Sequence, residues 1–291
     1  MEINAMKTLV LFLFLFTAAG VFAFDSAPTV ISVEPTFANP VTYQIDSTVN
    51  PNGPVTTVWV RYSTSDPGEC NDSFGTLAPP GSFPSSGNTP LTFRTWIGSI
   101  TTGTTYYVCA IASNSFGTSF GSVVSFVARG PMIAGVVSYA NAIGSPSPRF
   151  VSNVDIRVDG QFSTTTNLAG YYSMAGSWPT SQFLVYCTKD GGVNGITSFD
   201  AALIAKHVAG IVPLTGYQSV VADVSGDGSI SSFDSALVAR YATGLSGVGR
   251  TGVWKFGPVS RTYFGLSSDR LDQDYAAYLM GEVSGNWINT P

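Results

Sequence analysis

The sequence has few charged side chains and a single histidine. Asp, Glu, Lys and Arg account for 11% of the 291 residues, the formal net charge is -5, and His207 is the one histidine. A chain with so few Lys and Arg cannot neutralise many phosphates, so no nucleic-acid partner is expected. Ser-His-Asp catalysis has only one possible base here, which argues against that class of hydrolase.

Cysteine is also scarce, since the chain has three. No metal-ligand spacing links them, so the cysteines do not predict a metal site. Cys70 and Cys109 fall in one predicted domain and can form a disulfide in an oxidising compartment. Cys187 ends the apolar strand pattern Phe183–Cys187, so we expect a buried free thiol there rather than an intermolecular bridge.

Long apolar runs are confined to the N-terminus. Lys7 precedes the apolar run Thr8–Phe16, and the small residues of Thr17–Ala23 follow it. We interpret residues 1–23 as a secretory signal peptide cleaved after Ala23. The alternative is an uncleaved membrane anchor, for which the run is short. The mature protein is therefore expected to be secreted or extracellular, at the cell surface, with no membrane span.

Glycine, proline and short alternating apolar runs are what the chain does have. The 31 Gly and 17 Pro residues are typical of turn-rich β-proteins rather than helical enzymes. The predicted fold class is mainly β, with two β-sandwich domains and a small α-helical insertion. The first sandwich is predicted over residues 24–130.

Two segments of this first domain, Thr48–Tyr62 and Gly103–Gly117, resemble a fibronectin type III domain. The resemblance implies that Trp59 lies in the core and that Tyr106 or Tyr107 lies near the tyrosine corner of that fold. Such domains are usually spacers or binding modules, so this likeness alone implies no activity.

The second sandwich is predicted to begin at residues 131–188. Three of its segments resemble prealbumin-like or carboxypeptidase-regulatory-like repeats of bacterial surface proteins: Ile133–Tyr139, Val154–Val158 and Thr164–Ser173. Strand patterns return near the C-terminus, and we expect residues 248–291 to pair back onto this sandwich. The helical module between them would then be an insertion.

That module contains the most informative motif, Asp223-Val-Ser-Gly-Asp-Gly-Ser-Ile-Ser-Ser-Phe-Asp234. A twelve-residue calcium loop supplies oxygens from positions 1, 3, 5, 7, 9 and 12 and has glycine at position 6. Gly228 stands at position 6 here. The predicted Ca²⁺ ligands are Asp223, Ser225, Asp227, the carbonyl of Ser229, Ser231 and Asp234. The alternative is a surface turn rich in Asp, Gly and Ser.

The end of the loop and the helix after it are duplicated. Ile196–Ile211 reappears, conservatively edited, as Ile230–Leu245. We predict a loop followed by a helix in each copy, with no comparable helix before the loop at Asp223. Two such units over residues 189–247 resemble a dockerin module, the calcium-dependent docking domain of bacterial extracellular assemblies.

The first copy departs from this pattern. Lys189, Gly191 and Val193 stand where the loop needs its first three oxygen-bearing side chains, so only Gly195, Thr197 and Asp200 remain. Near the C-terminus, Glu282-Val-Ser-Gly-Asn286 mimics Asp223–Asp227. We hypothesise a split second site in which Glu282, Ser284 and Asn286 complete the first copy. The alternative is a strand end followed by a turn.

Two non-catalytic functions fit these features. The polar turn with Asp269, Asp272 and Asp274 has no aromatic cleft residues around it, so glycoside cleavage is not expected. The protein is interpreted first as a calcium-binding structural or adhesive subunit that self-associates by strand addition. The alternative is an adaptor for a cohesin-like receptor. Dockerin resemblance implies that its partner-binding residues are Ser198, Phe199, Ser232 and Phe233.

Overall fold

The computed structural model describes residues 25–79, 83–141, 148–159 and 163–290. The predicted signal peptide lies outside these residues. The fold class is confirmed as mainly β, because strands dominate and the helices are confined to the predicted module. No helix in the described ranges has the length and apolar character needed to cross a membrane.

Strands β1–β9 belong to the first sandwich. They are β1 (Thr29–Asn39), β2 (Thr42–Asn50), β3 (Gly53–Ser63), β4 (Thr76–Leu77), β5 (Phe83–Gly87), β6 (Leu91–Gly98), β7 (Thr105–Asn114), β8 (Gly117–Phe120) and β9 (Val124–Val127).

The remaining strands and the helices follow. They are β10 (Met132–Tyr139), β11 (Asp155–Val158), β12 (Ser163–Thr165), β13 (Tyr171–Ala175), β14 (Gln182–Thr188), α1 (Ser198–Val208), α2 (Tyr217–Ala222), α3 (Ser232–Ala242), β15 (Trp254–Gly257), β16 (Ser260–Phe264) and β17 (Tyr275–Leu279).

The chain forms two compact units. Among the described residues, the first contains residues 25–35, 45–79, 83–96 and 106–125, and the second contains residues 36–44, 97–105, 126–141, 148–159 and 163–290. This division differs from the predicted limit at residue 130. Parts of several strands of the first sandwich have their contacts with the second unit and are therefore assigned to it.

The first unit is built on two sheets, with strand orders β1-β2-β6 and β4-β3-β7-β8, and β5 and β9 pair with β3 and β7. Val49 of β2, Val58 of β3 and Ala112 of β7 form a core between the sheets. Alternation along β3 buries Val58 and Val60 and turns Trp59 to the other face, where its Nε1 donates to Asp72 at 2.8 Å. The expectation that Trp59 lies in the core was therefore wrong.

A disulfide joins Cys70 to the buried Cys109 on β7, with sulfurs 2.02 Å apart. It attaches the Pro- and Gly-rich excursion after β3 to the central strand of its sheet. Cys187 is a buried free thiol, as expected. Burial raises the pKa of the Cys187 thiol, which keeps it protonated.

The second unit contains the other sandwich, with sheet orders β13-β10-β17-β15 and β12-β11-β14-β16. Strands that follow the helices pair with strands that precede them: β17 runs parallel to β10, and β16 runs antiparallel to β14. Alternation along β14 points Phe183, Val185 and Cys187 into the core. The helical module is thus inserted between strands of one sandwich.

The polar turn before β17 is tied to the sandwich. Asp269 accepts two hydrogen bonds from the Arg129 guanidinium, at 2.8 and 2.7 Å, and one from the backbone N–H of Met132 at 2.9 Å. Asp274 accepts from the N–H of Val136 at 2.8 Å. These hydrogen bonds therefore fix the course of the turn.

In the helical module, α1 and α3 pack together over a core that includes Ile204, Leu237 and Val238. Met280 and Val283, which follow β17, belong to the same core. As expected, no helix comparable to the eleven-residue α1 and α3 precedes the loop at Asp223, but a short helix does. Helix α2 ends at Ala222, immediately before Asp223, although it has only six residues.

Candidate metal sites and exposed face of the helical module

The loop from Asp223 to Asp234 is held by its own carboxylates. Asp223 accepts from the Oγ of Ser225 at 3.2 Å and from the N–H groups of Gly226 and Gly228 at 2.7 and 3.1 Å. Gly228 has φ +90°, a conformation that glycine adopts without strain. The loop therefore turns sharply at the predicted position.

Asp234 closes the loop. Its Oδ1 accepts from the N–H of Ser225 at 2.8 Å, and its Oδ2 accepts from the N–H and Oγ of Ser231 at 2.9 and 3.0 Å. Ser231 is also the N-cap of α3, so Asp234 forms a capping box with it. Burial opposes ionisation of Asp234, but the bonds from Ser225 and Ser231 outweigh it and lower its pKa.

Hydrogen bonds from Ser229 favour the ionised form of Asp227. The backbone N–H of Ser229 donates to its Oδ1 at 2.9 Å and the hydroxyl of Ser229 donates at 2.8 Å. These bonds lower the pKa of Asp227. Position 5 of the loop is thus an exposed carboxylate held in its charged form.

The loop's donor set fits calcium. Three carboxylates, two hydroxyls and one carbonyl are hard oxygen donors of the kind that Ca²⁺ prefers. Across the described residues no three His, Cys, Asp or Glu side chains converge as a metal cluster. The fit therefore depends on the mixed set of oxygens, namely Asp223, Ser225, Asp227, Ser229, Ser231 and Asp234.

In the first copy, the residues at loop positions 1, 3 and 5 contact the sandwich instead of forming a calcium loop. The Nζ of Lys189 donates to the carbonyl of Ser152 at 2.8 Å and lies 5.9 Å from the centre of the Trp254 ring. Val193 packs against the sandwich core. Gly191 accepts at its carbonyl from the Nε1 of Trp254 at 2.9 Å. These residues connect the module to the sandwich and provide no carboxylate near Asp200.

The C-terminal motif Glu282–Asn286 lies beside Asp200, where the first copy has no calcium-loop ligands of its own at positions 1, 3 and 5. Asp200 Oδ1 accepts from the N–H groups of Val283 and Ser284, both at 2.8 Å. The Oγ of Ser284 and the N–H of Asn286 donate to Glu282 Oε1 at 2.7 and 2.9 Å. The structure therefore brings Asp200, Glu282 and Ser284 together, although more than eighty residues separate the first two.

The other members of the split site are also adjacent. Thr197 donates to Asp200 Oδ2 through its N–H at 2.8 Å and its Oγ1 at 3.1 Å. A Cβ added to Gly195 would lie 2.4 Å from Asn286 Oδ1, so a side chain at residue 195 is excluded. All six residues of the hypothesised site thus meet at the start of α1.

Glu282 is tied to the sandwich as well. The hydroxyl of Tyr139, on β10, donates to Glu282 Oε2, and the Nδ2 of Asn141 donates to the Glu282 carbonyl at 2.8 Å. Burial and then the Glu282 charge raise the pKa of Tyr139, so its hydroxyl remains a donor. Sequence reasoning missed Tyr139 because nothing near it in the sequence has a ligand pattern.

The starts of α1 and α3 present the same exposed residues. Phe199 is 56% exposed and Phe233 is 60% exposed, and Ser198 and Ser232 beside them are exposed too. Each Phe is the second residue of its helix, one residue before a buried Asp. Neither Phe belongs to the core, so the duplicated segment has two equivalent apolar side chains in solvent.

Two features connected with catalysis have structural roles. The Nδ1 of His207 accepts from the N–H of Leu214 at 3.0 Å and so orders the turn after α1. Gly117-Thr-Ser-Phe-Gly121 has the spacing of a nucleophile elbow, but that motif requires a strand-to-helix turn. Here Gly117–Phe120 is strand β8, paired with β7.

Comparison with known proteins supports the module assignment. The dockerin type I domain family matches residues 188–242. No curated protein matches the chain. The sensor domain of the anti-sigma factor RsgI4 in Pseudobacteroides cellulosolvens is a similar solved structure, with 19% identity, 34% of this chain and 85% of that chain covered, and a TM-score of 0.23. The FN1–FN3 domains of chicken CNTN1 match with 14% identity, 54% and 59% coverage, and a TM-score of 0.22.

Proposed function

We propose that the protein is a non-catalytic adaptor at the cell exterior whose calcium-bound helical module docks onto a cohesin-like receptor. The dockerin type I match supports calcium binding and receptor binding for residues 188–242. Dockerin modules occur in extracellular or cell-surface proteins, and secretion through a signal peptide at residues 1–23 belongs to the proposal.

In this proposal calcium is held by the loop Asp223–Asp234. The ion supplies positive charge between carboxylates that otherwise repel one another. Asp223 follows α2 directly and Asp234 lies in the first turn of α3, so binding would fix the two helices relative to each other. Calcium would act through the folding of this module rather than as part of a reaction.

The observation that carries the docking proposal is the pair of exposed phenylalanines. Phe199 and Phe233 occupy equivalent positions in two copies that pack against each other. Aromatic side chains that are exposed in the free protein and become buried on binding often dominate interface energy. The pair therefore offers two equivalent anchors for an apolar patch on a receptor.

Alanine substitution tests this proposal with recombinant type I cohesin modules as the probe. Phe199→Ala together with Phe233→Ala should weaken binding in calcium at least tenfold, since loss of an aromatic anchor costs about 2 kcal/mol or more. Phe264→Ala is the matched control, because Phe264 is 75% exposed on β16, outside the module. Isothermal titration calorimetry measures each affinity, and chelator should abolish binding by the unmodified chain.

Unchanged affinity in the double variant would contradict the proposal that Phe199 and Phe233 form the docking face.

The alternative function, a self-associating surface or filament subunit, is favoured by β16. This strand ends its sheet order, follows Val259, which is 82% exposed, and has the exposed Phe264 as its last residue. Filaments seen by electron microscopy in calcium, and lost in Phe264→Ala, would support the subunit and count against the adaptor.

A further inference from the structure

Two carboxylates lie buried side by side at the start of α1. The side chains of Asp200 and Glu282 are both fully shielded from solvent, and both bond to Ser284. Neighbouring buried charges of one sign are costly unless a proton or a cation compensates them. None of the ion pairs found among the described residues, Arg61–Asp72, Arg94–Asp46, Arg129–Asp269 and Arg157–Asp155, includes Asp200 or Glu282. The nearby Arg149 instead donates through its Nη1 to the carbonyls of Gly285 and Trp287, both at 2.6 Å.

The arrangement reproduces both hydrogen bonds that Ser225 makes in the loop at Asp223. Ser225 donates through its N–H to Asp234 Oδ1 and through its hydroxyl to Asp223. Ser284 donates in the same way to Asp200 Oδ1 and to Glu282. Ser284 and Glu282 therefore stand, relative to α1, where Ser225 and Asp223 stand relative to α3.

Asn286 takes the remaining place. It lies two residues after Ser284, as Asp227 does after Ser225, and its Oδ1 faces Gly195. The oxygens at this site come from two carboxylates, two hydroxyls and one amide, which again are hard donors suited to Ca²⁺. The contiguous loop expected of the first copy does not fit, because Lys189 and Val193 are committed to the sandwich.

We propose that the first copy binds calcium through a composite site in which Thr197 and Asp200 are completed by Glu282, Ser284 and Asn286. The dockerin match ends at residue 242, so these last three residues lie outside the family module. This inference rests on the calcium dependence in the proposed function and deepens it. The ion would bridge α1 and the segment after β17, and so fasten the inserted module to the sandwich.

Tyr139 is the positioning residue for this site. Its hydroxyl donates to Glu282 Oε2, while Ser284 and Asn286 donate to Oε1. Its ring also contacts Trp287, with centroids 4.7 Å apart. The sandwich core thereby holds Glu282 in the orientation that the composite site needs.

Calcium titration of the full mature chain tests the composite site, with calcium alone as the probe. Calorimetry should show two ions for the unmodified chain and one ion for Glu282→Gln. Asp223→Asn is the matched variant at the equivalent position of the contiguous loop, and it should also leave one ion. Ser284→Ala is a milder variant, because its backbone N–H still bonds to Asp200, and it should weaken one of the two ions about tenfold.

Hydrogen exchange separates the two sites in the same samples. Calcium should slow exchange at the amides of Val283 and Ser284 in the unmodified chain and in Asp223→Asn, but not in Glu282→Gln. One ion in the unmodified chain that Asp223→Asn removes would overturn the composite site and leave the proposed function standing. If the unmodified chain binds no calcium at all, both proposals are overturned.

Discussion

At the residue scale, the aspartates in the first turns of α1 and α3 each have two tasks. Asp200 and Asp234 complete capping boxes with Thr197 and Ser231, and each also accepts from a serine N–H in the opposing segment. A Thr or Ser followed three residues later by Asp signals a helix start. The same residues are positions 9 and 12 of a calcium loop, so one local pattern predicts both features.

The carboxylate of Asp269 supports a prediction of pH dependence. Hydrogen bonds from Arg129 hold its pKa below the usual value of about 3.9. The carboxylate therefore stabilises the fold above the unfolded pKa, and this stabilisation is lost as the pH falls through the lower folded pKa. Asp269→Asn should lower the free energy of unfolding by about 1 kcal/mol at pH 7, because the pair is partly exposed.

Urea unfolding at several pH values measures this difference. The gap between Asp269→Asn and the unmodified chain should narrow as the pH falls below about 4. Asp272→Asn changes an exposed residue of the same turn and serves as the control. A gap that stays constant down to pH 2 would show that the charge of Asp269 does not contribute.

Residue-level patterns were less reliable for aromatic side chains. Trp59 was expected in the core but lies on the opposite face of β3 from Val58 and Val60. The position of Phe233 in the helical repeat is compatible with either a core or a surface role. In the structure it is 60% exposed, because Leu237 and Val238 fill the contact with α1. Apolarity alone does not say which face of an element is buried.

At the element scale, the duplicated helices were predictable and α2 was not. Helices α1 and α3 have N-caps with side-chain bonds, and glycines with positive φ follow each of them. Helix α2 has Gly216 at its N-cap with no side-chain bond, and it has only six residues. Tertiary contact stabilises it, since Val221 and Ala222 are fully buried in the module core.

The described C-terminal segment after β17 has no helix or strand, and packing of its side chains holds it in place. Trp287 is 1% exposed, and its Nε1 donates to the carbonyl of Gly192 at 2.9 Å. Trp287→Ala should lower the free energy of unfolding by about 3–5 kcal/mol, because it removes a large buried side chain. Ile288→Ala, at a residue that is 60% exposed, should change it by less than about 0.5 kcal/mol.

Denaturation followed by tryptophan fluorescence and circular dichroism, with chelator present, measures both variants. Chelator keeps the result independent of the proposed composite site. Equal effects of the two substitutions would mean that residues 286–288 are not packed as the structure shows.

At the scale of the whole molecule, the disulfide of the first unit gives a separate prediction. Cys70 and Cys109 are 39 residues apart in sequence. Closing a loop of that length removes unfolded-state entropy worth about 4 kcal/mol in the chain-entropy account. Reduction, or replacement of both residues by Ala, should therefore speed hydrogen exchange in β3 and β7 and leave β10 and β14 unchanged.

Mass spectrometry with and without a phosphine reductant measures this exchange. Cys187→Ala is the control, since it removes the remaining thiol and leaves the disulfide intact. Exchange in β3 that does not respond to reduction would contradict a stabilising role for the bond.

The sequence by itself determined the features that depend on short range. Loop spacing, capping boxes, helix repeats and strand alternation are set by neighbouring residues, and they predicted a mainly β chain with a dockerin-like module. The echo of Asp223–Asp227 at Glu282–Asn286 was also visible as a pattern. A sequence pattern does not show where a segment eighty residues away lies in the fold. That position depends on which packed arrangement has contacts favourable enough to offset the entropy lost when the chain closes a long loop.

Only the tertiary structure decided those long-range relations. Pairing of β17 with β10 carries Glu282 back to the start of α1, and Tyr139 on β10 then orients it. The same packing commits Lys189 and Val193 to the sandwich and leaves Phe199 and Phe233 in solvent. Burial and sheet pairing therefore made the inserted module and its sandwich one folded unit.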